Sequence, residues 1–218
     1  MLVKNWMRKD FAKIEEDDSI QHALSVMHEH KIRMLPVFKG GDLVGIVSNF
    51  DIRRVIGSAA AVPGPLLTTK IHDIMTPKPI TIPQDYTIGE AAKVLMEHDI
   101  SGLPVTDGDG KMVGIITKDE FYNILIRLSG MDRLGVELAV VTEDKPGFIE
   151  VLTGVTSKYE ARIASILTTY EDVPDGDCIV YLRIFDVDRS TLYDLVDELN
   201  QKTKLIYMVD HRDGRRFV

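Results

Sequence analysis

The sequence predicts a mixed α/β (α+β) protein in which two copies of a βαββα unit precede a different, βαββαβ unit. Residues 1 to about 128 match themselves at a spacing of 68 positions, which becomes 69 after an extra residue in the second turn. After Ser129 this repeat stops and a new pattern of elements begins. Self-similarity at a fixed spacing is typical of a duplicated structural unit.

The first helix of each copy is predicted to begin after a hydroxyl residue. Ser19 and Thr87 can cap these helices, and Glu90 lies three residues after Thr87, as in a capping box. Apolar residues then recur at helical spacing and predict one buried stripe in each helix. These are Ile20, Ala23, Leu24 and Met27 in the first copy, and Ile88, Ala91 and Leu95 in the second.

A β-hairpin and a closing helix complete each copy. The hairpins turn through "KGGD" and "DGDG", where glycine supplies the positive φ of tight turns. "FDIRRVI" and "DEFYNILIRL" predict the closing helices. Because so small a unit has difficulty building a core alone, we expect the copies, 1–58 and 71–129, to pack sheet against sheet. Residues 59–70, rich in small residues and proline, predict a linker.

The third unit, expected at 134–213, has its own order of elements. "GVELAVVT" predicts a strand, and "EDKPG" leads into a helix that begins near Phe148. Two strands follow around the turn-rich "EDVPDG", then a helix with Ser190 as its expected cap, then the strand "KLIYMVD". This βαββαβ order is that of the ferredoxin-like fold.

Composition narrows the functional classes. The formal net charge of −8 argues against a general nucleic-acid surface, which requires clustered Lys and Arg. The single cysteine, Cys178, lies in an apolar strand pattern and is expected to be a core residue in a reducing compartment. Without an export signal or a long apolar run, we expect a cytoplasmic location and no membrane span.

No arrangement of residues indicates catalysis. The sequence shows no Ser-His-acid order, glycine-rich phosphate loop or metal-ligand spacing, so we expect no enzyme activity and no required cofactor. His28 and His30 are two positions apart on a predicted helix and therefore point to different faces, which argues against a shared metal ion.

The repeat closely resembles a tandem pair of CBS domains, the Bateman module. Its landmarks occur twice in order: Met7 and Met75, the middle "LPV", and the terminal motifs "GIVSNFD" and "GIITKDE". The third unit resembles an ACT domain through its βαββαβ order and "EDKPG" at 143–147. Two CBS domains followed by an ACT domain are similar to the acetoin-utilisation protein family.

The resemblance implies a ligand-sensing regulatory protein. CBS pairs bind AMP, ADP, ATP or S-adenosylmethionine in clefts between the modules. One cleft here would use Arg33, Met34, Leu35, Pro36, Ser48 and Asp51, and the other Ser101, Gly102, Leu103, Pro104, Thr117 and Glu120. An ACT domain would bind an amino acid or other small effector at Asp144, Lys145, Pro146, Gly147 and Phe148. The resemblance also implies a homodimer and a regulated protein partner.

The terminal motifs have two interpretations, which the sequence leaves open. Ser-x-x-Asp and Thr-x-x-Glu are capping-box patterns, yet a hydroxyl at a helix start also suits a phosphate, and a carboxylate suits ribose hydroxyls. Asp51 is the better ligand candidate, because Glu120 is one methylene longer than the family's usual aspartate; we expect Asp119 to point elsewhere. The alternative function is an oligomerisation or protein-interaction module with vestigial pockets.

Overall fold

A computed structural model of the chain describes residues 1–57 and 67–217. Residues 59–66 of the predicted linker lie outside these ranges. The chain divides into two compact units, Met1–Tyr122 and Asn123–Val218.

The first unit contains the two predicted copies of the βαββα order. Short 3₁₀ turns at Val3–Asn5 and Ile71–Asp73 precede them. The first copy consists of β1 (Ile14–Glu15), α1 (Ile20–His30), β2 (Met34–Lys39), β3 (Asp42–Ser48) and α2 (Asn49–Ile56). The second begins with β4 (Thr76–Pro77) and continues with β5 (Ile82–Pro83), α3 (Ile88–Glu97), β6 (Gly102–Thr106), β7 (Met112–Thr117) and α4 (Lys118–Leu128).

The predicted caps of α1 and α3 are confirmed. Ser19 Oγ accepts a hydrogen bond from His22 N at 3.2 Å. Thr87 and Glu90 form a complete capping box, in which Glu90 Oε2 accepts from Thr87 N at 2.7 Å and Thr87 Oγ1 accepts from Glu90 N at 3.2 Å. The backbone hydrogen bond from Thr87 lowers the pKa of Glu90. The predicted stripes are buried, except that Leu24 is only partly buried.

The leading segment of each copy, which contains Met7 or Met75, pairs with the hairpin of the other copy. β4, from the second copy, runs antiparallel to β3 of the first, with Thr76 opposite Ile46. In the same way Arg8 is bridged to Ile115 in β7, with N···O distances of 2.9 and 3.0 Å. The sheets are therefore β1-β2-β3-β4 and β5-β6-β7, and Ile71 belongs to the core of the first copy. The sequence repeat and the spatial module do not coincide.

Two methionine–glycine contacts hold this exchange in place. A Cβ atom added at Gly45 would lie 2.4 Å from Met75 Sδ, and one at Gly114 would lie 2.5 Å from Met7 Sδ. At both glycines the added Cβ would also lie 3.1 Å from a backbone carbonyl oxygen of the exchanged segment. The repeated Met7 and Met75 therefore rest on a strand position that only glycine leaves open.

Apolar side chains from both sheets meet in one cluster, as expected for copies packed sheet against sheet. Phe38 of β2 and Met112 and Ile115 of β7 are buried there, and Phe11, Met34 and Leu43 pack against them.

The second unit has the predicted βαββαβ order, with one more strand. Its elements are β8 (Val136–Glu143), α5 (Phe148–Lys158), β9 (Arg162–Thr169), β10 (Asp177–Phe185), α6 (Arg189–Lys202), β11 (Lys204–Asp210) and the unpredicted β12 (Arg215–Phe217). The sheet order is β12-β11-β8-β10-β9, with antiparallel neighbours. Cys178 is a buried core residue, and burial raises the pKa of its thiol.

The predicted cap of α6 was wrong by two residues. Asp188, not Ser190, is the N-cap, and its Oδ1 accepts from Ser190 N at 2.8 Å and from Ser190 Oγ at 2.9 Å. The carboxylate accepts hydrogen bonds from both donors of the serine, which lowers the pKa of Asp188. The two cap-forming residues stand close together, so the sequence pattern fits either one.

The glycine contacts predict opposite effects for two alanine substitutions. Gly114→Ala should lower the free energy of unfolding by about 1–3 kcal/mol, because Met7 and a carbonyl must move. Gly89→Ala, in α3 with no atom within 4 Å of the added Cβ, should raise it by up to about 1 kcal/mol through helix propensity. Urea denaturation of both variants checks this, and equal shifts would contradict the packing argument.

A buried ion pair predicts a pH dependence for the second unit. Asp210 is 3% exposed, and Arg212 donates to both of its oxygens, from Nε at 2.8 Å and Nη2 at 2.7 Å. These bonds lower the pKa of Asp210, so their stabilisation is present above the unfolded-state pKa of about 3.9 and is lost as the pH falls through the folded-state value.

Asp210→Asn should therefore be less stable than the unmodified chain by about 2 kcal/mol at pH 7. The difference should shrink below pH 4, because Asp210 then protonates in the parent chain. Urea unfolding at pH 7, 4 and 2.5 measures it, with the exposed Asp175→Asn as control. A difference that stays constant with pH would show that the charge of Asp210 is not the cause.

Candidate functional site

The first unit contains a cavity of 460 Å³ between the two copies of the repeat. Its walls come from the segment after Met7, the end of α1, the start of β2, and the first turns of α2 and α4. The lining residues are Arg8, Asp10, Phe11, Ala12, His30, Lys31, Ile32, Arg33, Met34, Pro36, Ser48, Asn49, Phe50, Ser101, Ile115, Thr117, Lys118, Asp119 and Tyr122.

In the first copy, Ser48 lines the cavity and Asp51 does not. Asp51 Oδ2 accepts from Ser48 N at 2.9 Å and from Ser48 Oγ at 2.6 Å, and Asp51 N donates to Ser48 Oγ at 3.3 Å. This is a complete capping box, and Asp51 is 8% exposed and does not line the cavity. The capping interpretation of the first motif is therefore observed, while its ligand interpretation remains a prediction.

The second copy uses its longer acid differently. Glu120 Oε2 accepts from Thr117 N at 3.0 Å and from the Thr117 hydroxyl. Its other oxygen, Oε1, accepts from Arg8 Nη2 at 2.9 Å. Thr117 lines the cavity, but Glu120 is buried and does not.

Some of the remaining predicted residues line the cavity and others are buried, in part because successive residues of a strand point to opposite faces. Arg33, Met34, Pro36 and Ser101 line this same cavity, so residues assigned to two clefts come together in one. Leu35 and Leu103 have no exposed surface and lie in the core, because neighbouring strand residues point to opposite faces. Gly102 and Pro104 are also buried and do not line the cavity.

Asp119 points to a different face of α4 from Glu120, as expected, but that face lines the cavity, which the sequence did not predict. Asp119 and Tyr122 line the cavity, three positions apart on one face of α4, while Glu120 is buried. Asp119 Oδ2 lies 3.8 Å from Arg33 Nη2, so an exposed ion pair joins the two copies at the cavity.

The helix starts supply fewer free amides than their position suggests. Asn49 N donates to Arg33 O at 2.9 Å, and Lys118 N donates to Ser101 O at 3.0 Å. The amide of Asp51 is taken by the cap. Four Lys and Arg side chains, Arg8, Lys31, Arg33 and Lys118, supply positive charge to this cavity against two lining aspartates, Asp10 and Asp119.

Sequence reasoning missed the segment from Arg8 to Ala12 and the end of α1. The exchange of leading segments brings Arg8 to the cavity, and a match of each copy with the other does not reveal that exchange. A detectable signal was present, since Arg8 follows the repeated Met7 where the second copy has Thr76.

The second unit has an open cavity of 860 Å³ beside the start of α5. Four of the five predicted effector residues, Lys145 to Phe148, line it, and Asp144 lines an adjoining cavity of 400 Å³. Gly147 is the N-cap of α5 with a φ of 94°, a conformation that favours glycine. The wider lining adds Glu143, Glu150, Asp177, Lys202 and Lys204.

Within residues 1–57 and 67–217, no group of three or more His, Cys, Asp or Glu side chains is placed to hold a metal ion. Over the same residues, no helix combines the length and apolar character that crossing a membrane requires.

Comparison with known families decides the nature of the first unit. A sequence model of the CBS domain matches residues 3–58 and 71–127. The chain belongs to the CBS domain family. The predicted tandem CBS pair is thus confirmed, and because the match ends at residue 127, the ACT assignment of the second unit remains a prediction.

Two relatives match the chain over more than half of its length. An uncharacterised protein of Methanocaldococcus jannaschii is 32% identical over 155 residues, which are 58% of this chain and 92% of the relative. The inosine-5'-monophosphate dehydrogenase of Korarchaeum cryptofilum is 37% identical over 171 residues, 78% of this chain. The chain spans only 31% of that enzyme.

Solved CBS pairs have the same fold. The CBS domain pair of protein MJ0100 in complex with 5'-methylthioadenosine and S-adenosyl-L-methionine is 28% identical, with a TM-score of 0.51, over 57% of this chain and 95% of that one. The CBS-pair protein CBSX2 of Arabidopsis thaliana in complex with AMP is 25% identical, with a TM-score of 0.52, over 58% and 97%. A proposed acetoin utilization protein of Vibrio cholerae, 24% identical with a TM-score of 0.53 over 61% and 95%, shares the fold.

Proposed function

We propose that the chain is a ligand-sensing regulatory protein whose CBS cavity binds an adenine nucleotide. The observation that carries this proposal is that one cavity brings Ser48 and Thr117 of the two terminal motifs together with four Lys and Arg side chains from both copies. Its volume of 460 Å³ lies within the range of about 300–1,000 Å³ typical of small-molecule sites.

The chemistry of the walls fits the parts of a nucleotide. Ile32, Met34 and Pro36 offer apolar surface to a purine ring, and the cations offer donors to a phosphate. The two related structures hold ligands that share an adenosine group. The excess of cations favours AMP, ADP or ATP over S-adenosylmethionine, whose sulfonium carries a positive charge.

Regulation follows if the ligand stabilises one arrangement of the two copies over another, since an effector shifts a conformation only through unequal binding. In this proposal the chain is not an enzyme. It acts in the cytoplasm as a homodimer and controls a regulated protein. Its domains are 1–58, 71–129 and 134–213. The link to acetoin utilisation rests on the resemblance of its domain order.

The cavity predicts nucleotide binding that depends on a cation at the start of α4. AMP should raise the melting temperature with the logarithm of its concentration once that concentration exceeds the Kd, and Lys118→Gln should weaken AMP binding about tenfold through loss of one charged contact. Thermal melts measure the first effect, and isothermal titration with AMP, ADP, ATP and S-adenosylmethionine measures the second.

Lys93→Gln is the matched control, because Lys93 is 76% exposed on α3 and does not line the cavity. Equal weakening by both substitutions would show a general charge effect and contradict binding in the cavity.

The alternative function is an oligomerisation or protein-interaction module with vestigial pockets. One observation favours it, because Asp51 and Glu120 both serve their helix caps and neither lines the cavity. This alternative predicts normal self-association and no change in melting temperature with any of the four ligands.

For the second unit we propose an ACT domain with an effector site at Asp144, Lys145, Pro146, Gly147 and Phe148. Its βαββαβ order, the sheet order β11-β8-β10-β9 and the open cavity at these residues support the proposal. Lysines and acids line the cavity beside apolar Val151 and Val155, a mixture that suits the charged groups and side chain of an amino acid.

This site predicts saturable binding of a free amino acid to the second unit. Screening the twenty amino acids by thermal shift should find at least one that stabilises the chain, and Lys204→Gln should weaken its binding about fivefold to tenfold. Arg162→Gln, on β9 outside the cavity, should leave the affinity unchanged. If none of the twenty binds at millimolar concentration, the effector site fails.

A further inference from the structure

The two copies differ at the acid of their terminal motif, and the difference gives Glu120 a second contact. In the first copy, both donors of Ser48 bond to Asp51 Oδ2. In the second, the donors of Thr117 bond to Glu120 Oε2, and the extra methylene brings Oε1 within 2.9 Å of Arg8 Nη2. The longer acid can therefore cap α4 and hold a cation at the same time.

The partner of each acid changes together with the acid. Arg8 and Thr76 are 68 positions apart and occupy the same place in the two exchanged segments, Arg8 opposite Ile115 and Thr76 opposite Ile46. The copy with glutamate thus receives an arginine, and the copy with aspartate receives a neutral threonine. A threonine is uncharged, so it could not form the ion pair that Arg8 forms with Oε1 of Glu120.

Arg8 is fixed through its backbone and its guanidinium group, and its side chain still lines the cavity. Its N–H and C=O are both bonded to Ile115, and its guanidinium is paired with Glu120, whose side chain is 11% exposed. The Arg8 side chain itself is 49% exposed and lines the cavity beside Thr117 and Lys118. Glu120 accepts from Nη2 alone, and Nε and Nη1 carry further N–H donors in the same plane.

An anion near α4 needs such a side chain. The first amide of this helix already donates to Ser101 O at 3.0 Å, so the backbone contributes less than at an uncapped helix start. A guanidinium fork matches the geometry of phosphate oxygens, and fixing it in advance reduces the side-chain entropy lost on binding.

We propose that Arg8 recognises the phosphate of the nucleotide and determines the preference for AMP over adenosine, with Glu120 as the residue that positions it. The inference rests on the proposed function and deepens it. It places the phosphate at the wall formed by Arg8, Thr117 and Lys118, and it assigns Glu120 to Arg8 instead of to a ribose.

The test compares AMP with adenosine by isothermal titration on the full chain. The unmodified chain should bind AMP more tightly than adenosine. Arg8→Gln should weaken AMP binding about tenfold and leave adenosine binding within about twofold. Glu120→Asp should weaken AMP binding about threefold to tenfold, because aspartate can cap α4 as Asp51 caps α2 but cannot also reach Arg8.

Arg54→Gln is the matched control, since Arg54 is an exposed arginine of α2 that does not line the cavity. It should leave the AMP to adenosine ratio unchanged, and melting curves without ligand should show that all variants are folded. A chain that binds AMP while Arg8→Gln or Glu120→Asp weakens both ligands equally, or neither, overturns the role of Arg8 and leaves the nucleotide site intact. A chain that binds none of AMP, ADP, ATP and adenosine overturns both proposals, and one that binds ADP or ATP but neither AMP nor adenosine overturns this one alone.

Discussion

The exchange of leading segments between the two CBS copies is the constraint on which the first unit depends. Met7 rests on Gly114 and Met75 rests on Gly45, and in each case a side-chain atom at the glycine would occupy the position of the methionine sulfur. The exchange buries Ile71 in the core of the other copy and delivers Arg8 to the hairpin that ends in Thr117. A cavity lined from both copies is therefore a consequence of the pairing. A ligand in it contacts both copies at once, which is the arrangement that lets binding energy select their relative position.

Helix capping and ligand binding compete for the same atoms at this cavity. The bonds between hydroxyl residue and acid use the amides and hydroxyls of the terminal motifs, and the carbonyls of Arg33 and Ser101, just before β2 and β6, accept from the first amide of α2 and of α4. These bonds stabilise the helix starts and fix where Ser48 and Thr117 lie. They also reduce the number of backbone donors that an anion can reach, so the charge for an anion comes from Arg8, Lys31, Arg33 and Lys118. The motif shapes the site, and side chains outside the motif supply its charge.

The sequence predicted the order of the elements, most of the caps and the two residues, Ser48 and Thr117, at which the motifs reach the cavity. These features depend on local spacing, which a single copy reveals. Arg8 could not be found in this way, because its place depends on a pairing between copies, and a repeat has the same spacing whether or not its segments are exchanged. Leu35 and Leu103 were assigned to the site as part of "LPV", although strand alternation turns them into the core. The cap of α6 and the strand β12 were missed for another reason. Asp188 and Ser190, two positions apart, both suit a cap, and a three-residue edge strand has little pattern.

The divergence of the two copies makes the cavity that we propose as a nucleotide site asymmetric. Two identical copies would present the same groups on both sides, whereas a nucleotide has an uncharged base at one end and an anionic phosphate at the other. The copies here differ in what they contribute to the cavity. The first contributes Met34 and Pro36 together with three of the four cations, Arg8, Lys31 and Arg33, while the second contributes Lys118. The change from aspartate to glutamate keeps the acid bonded to Thr117 and adds the ion pair with Arg8. One methylene is therefore enough to give the acids of two copies of one motif different contacts.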